Sequence, residues 1–214
     1  MSENYYTPQR VDPDACIYPM RFSPVTYWVV IEGEEYKICN EYSHKRASNA
    51  KVGNYGRGHM NTDKDPRRVE RTGLKGEMAY AKLFGGSVDL TYRSNGDQLD
   101  FTLRNRETVD VKLSCNVPSY EAGLIQVVTE KGTPKPLLCD WYVVGCNLWD
   151  EFNLDPSKHR DYSEVCLIGA ARRADIESLP ISPARAEGLT QLIQEIHYNW
   201  DKLVRIDAFR ALTY

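Results

Sequence analysis

Three charged residues in the middle of the chain have the types and spacing for metal-assisted chemistry. Asp100 enters one apolar run, and Asp110 and Lys112 lie two positions apart in the next. Apolar and polar residues alternate in both runs, which predicts half-buried strands. Alternation places Asp110 and Lys112 on one face of their strand and the apolar neighbours on the other. We therefore expect these charges beside a core.

The connection between the two predicted strands decides whether Asp100 shares that face. Residues paired across a hairpin lie on the same side of a sheet, so an odd number of loop residues brings Asp100 opposite or near Asp110. A three-residue connection, 104–106, meets this condition, and Asn105 within it tolerates a left-handed backbone conformation. The sequence predicts the odd register.

A third carboxylate, Glu77, lies in a predicted helix over residues 73–85. Helical spacing places it within an apolar stripe formed by Leu74, Met78, Ala81 and Phe84. A buried, unpaired carboxylate is costly, so we expect a cation or several hydrogen-bond donors beside Glu77. The helix should pack on the hairpin and point Glu77 at its charged face. The alternative is an ordinary carboxylate favoured by the N-terminal dipole of its helix.

The order Glu77, Asp100, Asp110, Lys112 resembles the motif of the PD-(D/E)xK nuclease superfamily, which has the restriction-endonuclease-like fold. The core of that superfamily begins with a helix that bears Glu. A hairpin follows, with an Asp at the start of one strand and Asp or Glu, any residue, then Lys on the next. The resemblance covers about residues 73–175, judged by element order and spacing.

One position departs from the superfamily pattern. Leu99, rather than Pro, precedes Asp100, which leaves Asp97 as a rival for the strand Asp. We prefer Asp100 because it enters the apolar strand directly, whereas Asp97 follows Gly96 in a predicted turn. An Asp-x-Lys alone is more often a solvated strand face. The inward Glu followed by all three strand residues is what favours a nuclease site.

The resemblance implies an α/β fold with a central mixed sheet flanked by helices and with N-terminal and C-terminal elaborations. We expect one compact domain, in which residues 1–72 elaborate a nuclease core over residues 73–214. The other predicted elements agree with this core. They are strands near 25–31, 124–128, 137–146 and 165–170, and helices near 34–49, 172–179 and 189–200. Residues 1–24 show no periodicity.

The resemblance also implies a Mg²⁺-dependent endonuclease that hydrolyses DNA phosphodiester bonds and leaves a 5′-phosphate. Asp100, Asp110 and the backbone carbonyl of Val111 would hold the ion, and Glu77 would hold a second ion directly or through water. Closely spaced carboxylates suit Mg²⁺, with Mn²⁺ as a substitute. Lys112 would orient the attacking water or stabilise the phosphorane.

A basic, glycine-rich segment precedes the predicted helix. Between residues 44 and 75 it carries nine Lys and Arg residues against three acidic ones. Such a segment can contact phosphates without reading sequence, although a solvated loop is an equal alternative. The candidate DNA-binding residues are Arg57, Lys64, Arg67, Arg68, Arg71 and Lys75.

Composition limits the function classes. The 214 residues are 42% hydrophobic with a net charge of −3, enough for a sizeable core. No apolar run reaches about 18 residues and no signal-like start is present, so we expect a cytoplasmic protein with no membrane partner. Six scattered cysteines favour reduced thiols, and the four histidines lack ligand spacing.

Other functions stay open from sequence alone. A non-cleaving nucleic-acid-binding module could keep the same fold, and an RNA nuclease is a further alternative. A homodimer would permit cutting of both DNA strands. Small size and the absence of helicase or methyltransferase regions favour a phage or mobile-element enzyme. Fold alone cannot choose the DNA sequence or structure that is cut.

Overall fold

The structure is a computed structural model that describes residues 5–20, 23–52, 66–91, 99–114, 122–128, 136–147, 160–183, 192–197 and 200–213. The helices are α1 (Gly33–Val52), α2 (Pro66–Phe84), α3 (Arg173–Glu177) and α4 (Ile206–Arg210). The strands are β1 (Tyr5–Tyr6), β2 (Ile17–Met20), β3 (Ser23–Ile31), β4 (Val88–Asp89), β5 (Phe101–Thr102), β6 (Thr108–Ser114), β7 (Ala122–Val128), β8 (Trp141–Asn147), β9 (Ser163–Arg172), β10 (Ile181–Pro183), β11 (Leu192–His197) and β12 (Val204–Arg205).

A curled mixed sheet forms the centre of the fold. Its seven strands run in the order β2-β3-β9-β8-β6-β5, and β12 also pairs with β9. Only the β6–β8 pair is parallel among its described strand pairs. Smaller sheets are formed by β10-β11-β7 and by β1-β4. The predicted α/β class with a mixed sheet flanked by helices is confirmed.

The central strand β8 is covered on both faces. All seven of its residues are buried, as its nearly continuous apolar run predicted. Val143 packs in the core cluster that also contains Val109 and Val111. Tyr142 and Val144 pack in a second cluster on the opposite face. The sheet therefore separates two cores, and the apolar face of β6 belongs to the first of them.

Helix α2 packs closely on one face of β6. A Cβ atom at Gly76 would lie 2.8 Å from Cγ of Leu113 and 3.2 Å from Cγ1 of Val111. Glycine thus permits an approach that a side chain would prevent. Because Val111 and Leu113 alternate with Asp110 and Lys112, α2 covers the apolar face of β6.

Aromatic rings join the hairpin to α2, and join α4 to α2 and β8. The ring of Tyr80 stacks on Phe101 with centroids 4.3 Å apart, and it lies 4.8 Å from Phe84. Phe209 of α4 makes edge contacts with Phe84 and Trp141 at centroid distances of 6.1 and 5.2 Å. Offset and edge geometries of this kind stabilise aromatic cores beyond the area that they bury.

A buried ion pair joins α1 to α2. Lys82 Nζ lies 2.5 Å from Oε2 of Glu35 and donates a second hydrogen bond to the Val30 carbonyl at 3.0 Å. Both side chains are almost fully buried. The pair is satisfied only while the two helices and the end of β3 stay together.

The predicted helix over 189–200 is wrong in its described part. Residues 192–197 form strand β11, which pairs with β7 on one side and β10 on the other. The apolar spacing suits a helix, but two available strand edges satisfy this backbone instead. Residues 1–24 also hold structure that the sequence did not predict, in β1, β2 and a short 3-10 helix at Pro13–Cys16.

The N-terminal segment is built into the central sheet. Strand β3 pairs with β9 over Tyr27–Ile31, and the predicted division after residue 72 falls inside α2. Within the ranges given above, no helix is long and apolar enough to cross a membrane. The five cysteines that the structure describes are free thiols.

Candidate active site

The β5–β6 hairpin has the predicted odd register. Phe101 pairs with Val109 and Thr102 with Thr108, so residues 104–106 form a three-residue connection. The left-handed residue is Arg106, with a φ of 70°, and not Asn105 as expected. Asn105 instead accepts a hydrogen bond from the Glu107 N–H at 3.1 Å, and its amide donates to the Glu107 carboxylate at 2.9 Å.

Asp100 lies immediately before β5 and is fixed against β6. Its N–H donates to the Val109 carbonyl at 2.9 Å, and its Oδ2 accepts the Val111 N–H at 2.7 Å. The register that pairs Phe101 with Val109 brings Asp100 across from Asp110. The backbone and the side chain of Asp100 therefore both form hydrogen bonds with the β6 backbone, just before β5 begins.

Asp110 and Lys112 form an ion pair on the other side of β6 from α2. Lys112 Nζ lies 2.6 Å from Asp110 Oδ1, and the two side chains are 39% and 19% exposed, Lys112 being the more exposed. The parallel register places Asp110 beside Tyr142 and Lys112 beside Val144 of β8. The pair is open enough for solvent or a substrate to reach it.

The pKa of Asp100 is raised well above its ordinary value. Burial is the main cause, and the carboxylates of Glu77 and Asp110 add to it. The Lys112 ammonium and the Val111 N–H oppose the shift without cancelling it. Burial and the two neighbouring carboxylates together therefore favour the protonated form of Asp100.

The pKa of Lys112 is raised as well. Burial favours its neutral form, but the carboxylates of Asp110 and Asp100 outweigh that effect and favour the ammonium. Lys112 is therefore positively charged at neutral pH. It is the cation of the cluster that the sequence predicted.

Glu77 lies in α2 and is buried. Its carboxylate helps to raise the pKa of Asp100, so its charge acts on the carboxylate cluster. That Glu77 points at the face bearing Asp110 and Lys112 stays a prediction. Among the described residues, no group of three or more His, Cys, Asp or Glu side chains is arranged to hold a metal ion.

The candidate DNA-binding residues divide into three groups. Arg57 and Lys64 lie outside the described residues, as do the side chains of Arg67 and Arg68. Arg71 is half-buried in α2. Lys75 is fully buried, so its predicted place on a DNA-binding surface is wrong.

Lys75 does not lie on a phosphate-contacting surface. It is 0% exposed, and its Nζ donates to Ser163 Oγ at 2.6 Å and lies 4.9 Å from the centre of the Tyr36 ring. The packing of α2 against β9 and α1 turns this cation inward. Its place in the predicted basic segment gave no sign of that burial.

Two residues of the site escaped the sequence analysis. Tyr142 Oη accepts N–H groups from Leu138 and Cys139 at 3.0 and 3.3 Å, and burial, with Asp110 nearby, raises the pKa of its hydroxyl. Burial and the charges of Asp110 and Asp100 raise the pKa of the Cys139 thiol to about 12. The parallel β6–β8 register, which sequence could not supply, is the signal that would have identified Tyr142.

A cavity of about 300 Å³ adjoins Asp100 at the edge of the sheet. Its lining includes Tyr80 and Ser87 on one side and Thr102 and Arg104 on the other. Asp100 thus belongs both to the carboxylate cluster and to an opening beside β5.

No family model, curated protein or solved structure matches the chain. The function is therefore inferred from the chemistry of the site.

The donor chemistry of the cluster fits a hard divalent cation at Asp100 and Asp110. Both supply carboxylate oxygens, the ligands that Mg²⁺ and Mn²⁺ prefer. Burial, followed by the carboxylates of Glu77 and Asp110, raises the pKa of Asp100, and a bound cation would favour its ionised form. Glu77 adds negative charge near Asp100 without joining a described set of three ligands.

Proposed function

We propose that the protein is a Mg²⁺-dependent DNA endonuclease of the PD-(D/E)xK type. The main observation behind this proposal is the Asp110–Lys112 ion pair at 2.6 Å beside Asp100, whose pKa is raised by burial and by neighbouring carboxylates. The carboxylates of Asp100 and Asp110 can bind a cation, and the partly exposed Lys112 ammonium beside them can bind a phosphate.

The arrangement of elements supports the same proposal. Helix α2 carries Glu77, the β5–β6 hairpin carries Asp100, Asp110 and Lys112, and β8 pairs parallel with β6. This order agrees with the restriction-endonuclease-like core that the sequence resembles. The likeness is a fold-level analogy, and the site chemistry carries the functional argument.

Asp100 and Asp110 would hold the metal ion, with the Val111 carbonyl as a further candidate ligand. When bound, the ion lowers the pKa of a coordinated water and neutralises charge that develops on the phosphate. The Val111 N–H fixes one oxygen of Asp100, and the ion pair with Lys112 fixes one oxygen of Asp110. These contacts limit the orientations that either carboxylate can adopt.

Lys112 would act on the phosphate side of the reaction. Its ammonium is charged at neutral pH and 39% exposed, so it can donate to a non-bridging phosphate oxygen without a large conformational change. A donor fixed where charge develops in the transition state lowers the barrier more than one that must reorganise.

The direct experiment is a cleavage assay with purified protein on plasmid, linear, single-stranded and branched DNA, and on RNA. We expect DNA cleavage with Mg²⁺ or Mn²⁺ and none with EDTA. Asp110→Asn and Lys112→Met should abolish cleavage and leave the circular dichroism spectrum unchanged. Asp207→Asn and Lys202→Met change exposed residues in other ion pairs and should cleave like wild type.

A non-cleaving nucleic-acid-binding module is the second candidate function. The absence of a three-ligand acidic group among the described residues favours it. DNA binding without cleavage on every substrate and with either metal would establish the module and refute the nuclease. Cleavage of RNA alone would correct the substrate and keep the proposed chemistry.

A further inference from the structure

Exposed arginines surround the tip of the β5–β6 hairpin. Arg104 and Arg106 lie in the three-residue connection and are exposed. Arg172 ends β9 and Arg173 begins α3, with side chains 51% and 42% exposed. None of these residues belongs to the basic segment over residues 44–75 that the sequence analysis identified.

Arg172 is held in place by contacts with Glu107 and Trp141. Arg172 Nη1 lies 3.1 Å from Glu107 Oε1, and its guanidinium carbon lies 4.3 Å from the centre of the Trp141 ring. Trp141 Nε1 donates to the other Glu107 oxygen at 2.7 Å. Glu107 directly follows the hairpin connection, so this carboxylate fixes Arg172 next to the strand end from which the connection begins.

Arg173 is connected to the start of β6. Its Nη2 lies 3.9 Å from Asp140 Oδ1, and Asp140 Oδ2 accepts both the N–H and the hydroxyl of Thr108 at 2.9 Å. Hydrogen bonds from Thr108 lower the pKa of Asp140, and those from Trp141 and Asn105 lower the pKa of Glu107. Both acids are ionised at neutral pH, and four guanidinium groups against two carboxylates leave the surface positive.

Thr108 and a shared cavity connect this surface to the candidate active site, whereas Trp141, with which Arg172 stacks, packs on the sheet face that α2 covers. Asp110 lies two residues beyond Thr108 in β6, about 7 Å along the strand. Arg104 and Asp100 also line the same cavity at the sheet edge.

We propose that Arg104, Arg106, Arg172 and Arg173 form a phosphate-binding surface that holds the nucleic-acid backbone at the end of the sheet where β6 begins. The identity of the ligand rests on the proposed function, whereas the surface itself rests on geometry and charge. Arginine binds phosphate through paired N–H groups, and contacts of this kind supply affinity without reading sequence. Preorganisation by Trp141 and Glu107 reduces the ordering cost of Arg172 on binding.

The test measures binding of a fluorescent duplex over a series of salt concentrations, in the Asp110→Asn background so that no DNA is cut. An Arg106→Asn and Arg172→Gln double variant should weaken binding by at least fivefold. It should also reduce the slope of log affinity against log salt by about 0.9 for each phosphate that the variant no longer neutralises. Asn suits the positive φ at position 106, and Arg172→Lys should retain most of the slope.

Arg160→Gln provides a matched control. Arg160 also pairs with a glutamate, Glu164, at 3.5 Å and stacks on an aromatic ring, Tyr162, at 5.1 Å. It precedes β9, whereas Arg172 ends that ten-residue strand, so the two are separated by about 30 Å of strand. Arg160→Gln should bind duplex with the affinity and salt slope of the parent protein.

The outcomes separate this inference from the proposed function. Equal affinities and slopes in the double variant and in Arg160→Gln would overturn the surface, even if the wild type cuts DNA. Arginine-dependent duplex binding by a protein that cuts nothing would support the surface and refute the nuclease. Arginine-dependent binding of polyglutamate but not of duplex would overturn the assignment to nucleic acid.

Discussion

Asp100 carries an electrostatic cost that is linked to its place in the site. Burial and the nearby Glu77 and Asp110 raise its pKa, so the folded chain holds this proton more tightly than the unfolded chain does. Stability therefore falls as the pH rises from about 3.9, the unfolded value, through the folded pKa. Above the folded pKa the cost is fully present.

This cost predicts that Asp100→Asn is more stable than wild type at pH 7 without metal. Asn retains an oxygen that can accept the Val111 N–H, so the substitution removes charge and keeps that contact. Each 1 kcal/mol of relief should raise Tm by about 2–4 °C. Thermal unfolding followed from pH 3 to pH 8 checks this, and the difference from wild type should vanish near pH 3.

Metal addition gives the complementary measurement. Mg²⁺ that binds only the folded state stabilises it, so the ion should raise Tm in wild type more than in Asp100→Asn. Equal stability of the two proteins across the pH range, with equal responses to Mg²⁺, would contradict the electrostatic account of Asp100.

At the scale of elements, α2 lies close to β6 at one of its glycines and not at another. Alanine substitution of these two glycines should therefore change the stability of the protein in opposite directions. A Cβ at Gly76 meets Leu113 at 2.8 Å, whereas a Cβ at Gly73 meets nothing within 4 Å. Alanine improves helix propensity by about 1 kcal/mol at either position. Overpacking at position 76 costs about 1–3 kcal/mol, which outweighs that gain.

We therefore expect Gly73→Ala to stabilise the protein by up to about 1 kcal/mol and Gly76→Ala to destabilise it by up to about 2 kcal/mol. Urea unfolding at constant m-value measures both changes. Stabilisation by Gly76→Ala would show that α2 does not lie as close to β6 as described. Because this packing places Glu77, Gly76→Ala should also slow cleavage.

The ion pair between α1 and α2 leads to a second prediction about these elements. Lys82→Met leaves the Glu35 carboxylate buried without the ammonium at 2.5 Å, and removal of one partner of such a pair costs about 3–5 kcal/mol. The Glu35→Gln, Lys82→Met double variant removes both charges and should lose less stability than the single Lys82→Met variant. Denaturant unfolding of both variants checks this order, and a larger loss in the double variant would refute it.

Local patterns predicted the hairpin well. Alternation in two short runs and the count of residues 104–106 fixed the register, because strand pairing across a short loop depends on neighbouring residues alone. Asp100, Asp110 and Lys112 were therefore brought together as the sequence predicted. The exception was the residue with the left-handed conformation. It is Arg106, the last residue of the connection, and not Asn105.

Features that depend on contacts between distant segments of the chain were not predicted correctly. The burial of Lys75 depends on Ser163 in β9, which lies far from it in the chain. Strand β11 was predicted as a helix because its apolar spacing suits a helical stripe. Pairing with β7 and β10, far away in the chain, decides its structure.

At the scale of the whole molecule, the curled sheet places the hairpin at one edge, with β5 as its last strand. The cavity beside Asp100 and Arg104 lies at this edge, and Arg172 ends β9 two strands farther into the sheet from β6. Under the proposed function, a nucleic acid that crosses this end of the sheet would meet the arginines first and the carboxylates proposed to hold a metal ion farther along β6.

The central claim is that Asp110 and Lys112 carry out metal-dependent phosphodiester hydrolysis. Its most direct test is the rate of plasmid cleavage with enzyme in excess and saturating Mg²⁺, for wild type, Asp110→Asn, Lys112→Met and the Asp207→Asn control. We predict wild-type cleavage that EDTA stops, a loss of at least about 100-fold in both site variants, and an unchanged rate in the control. Cleavage by both site variants at the wild-type rate would contradict the account.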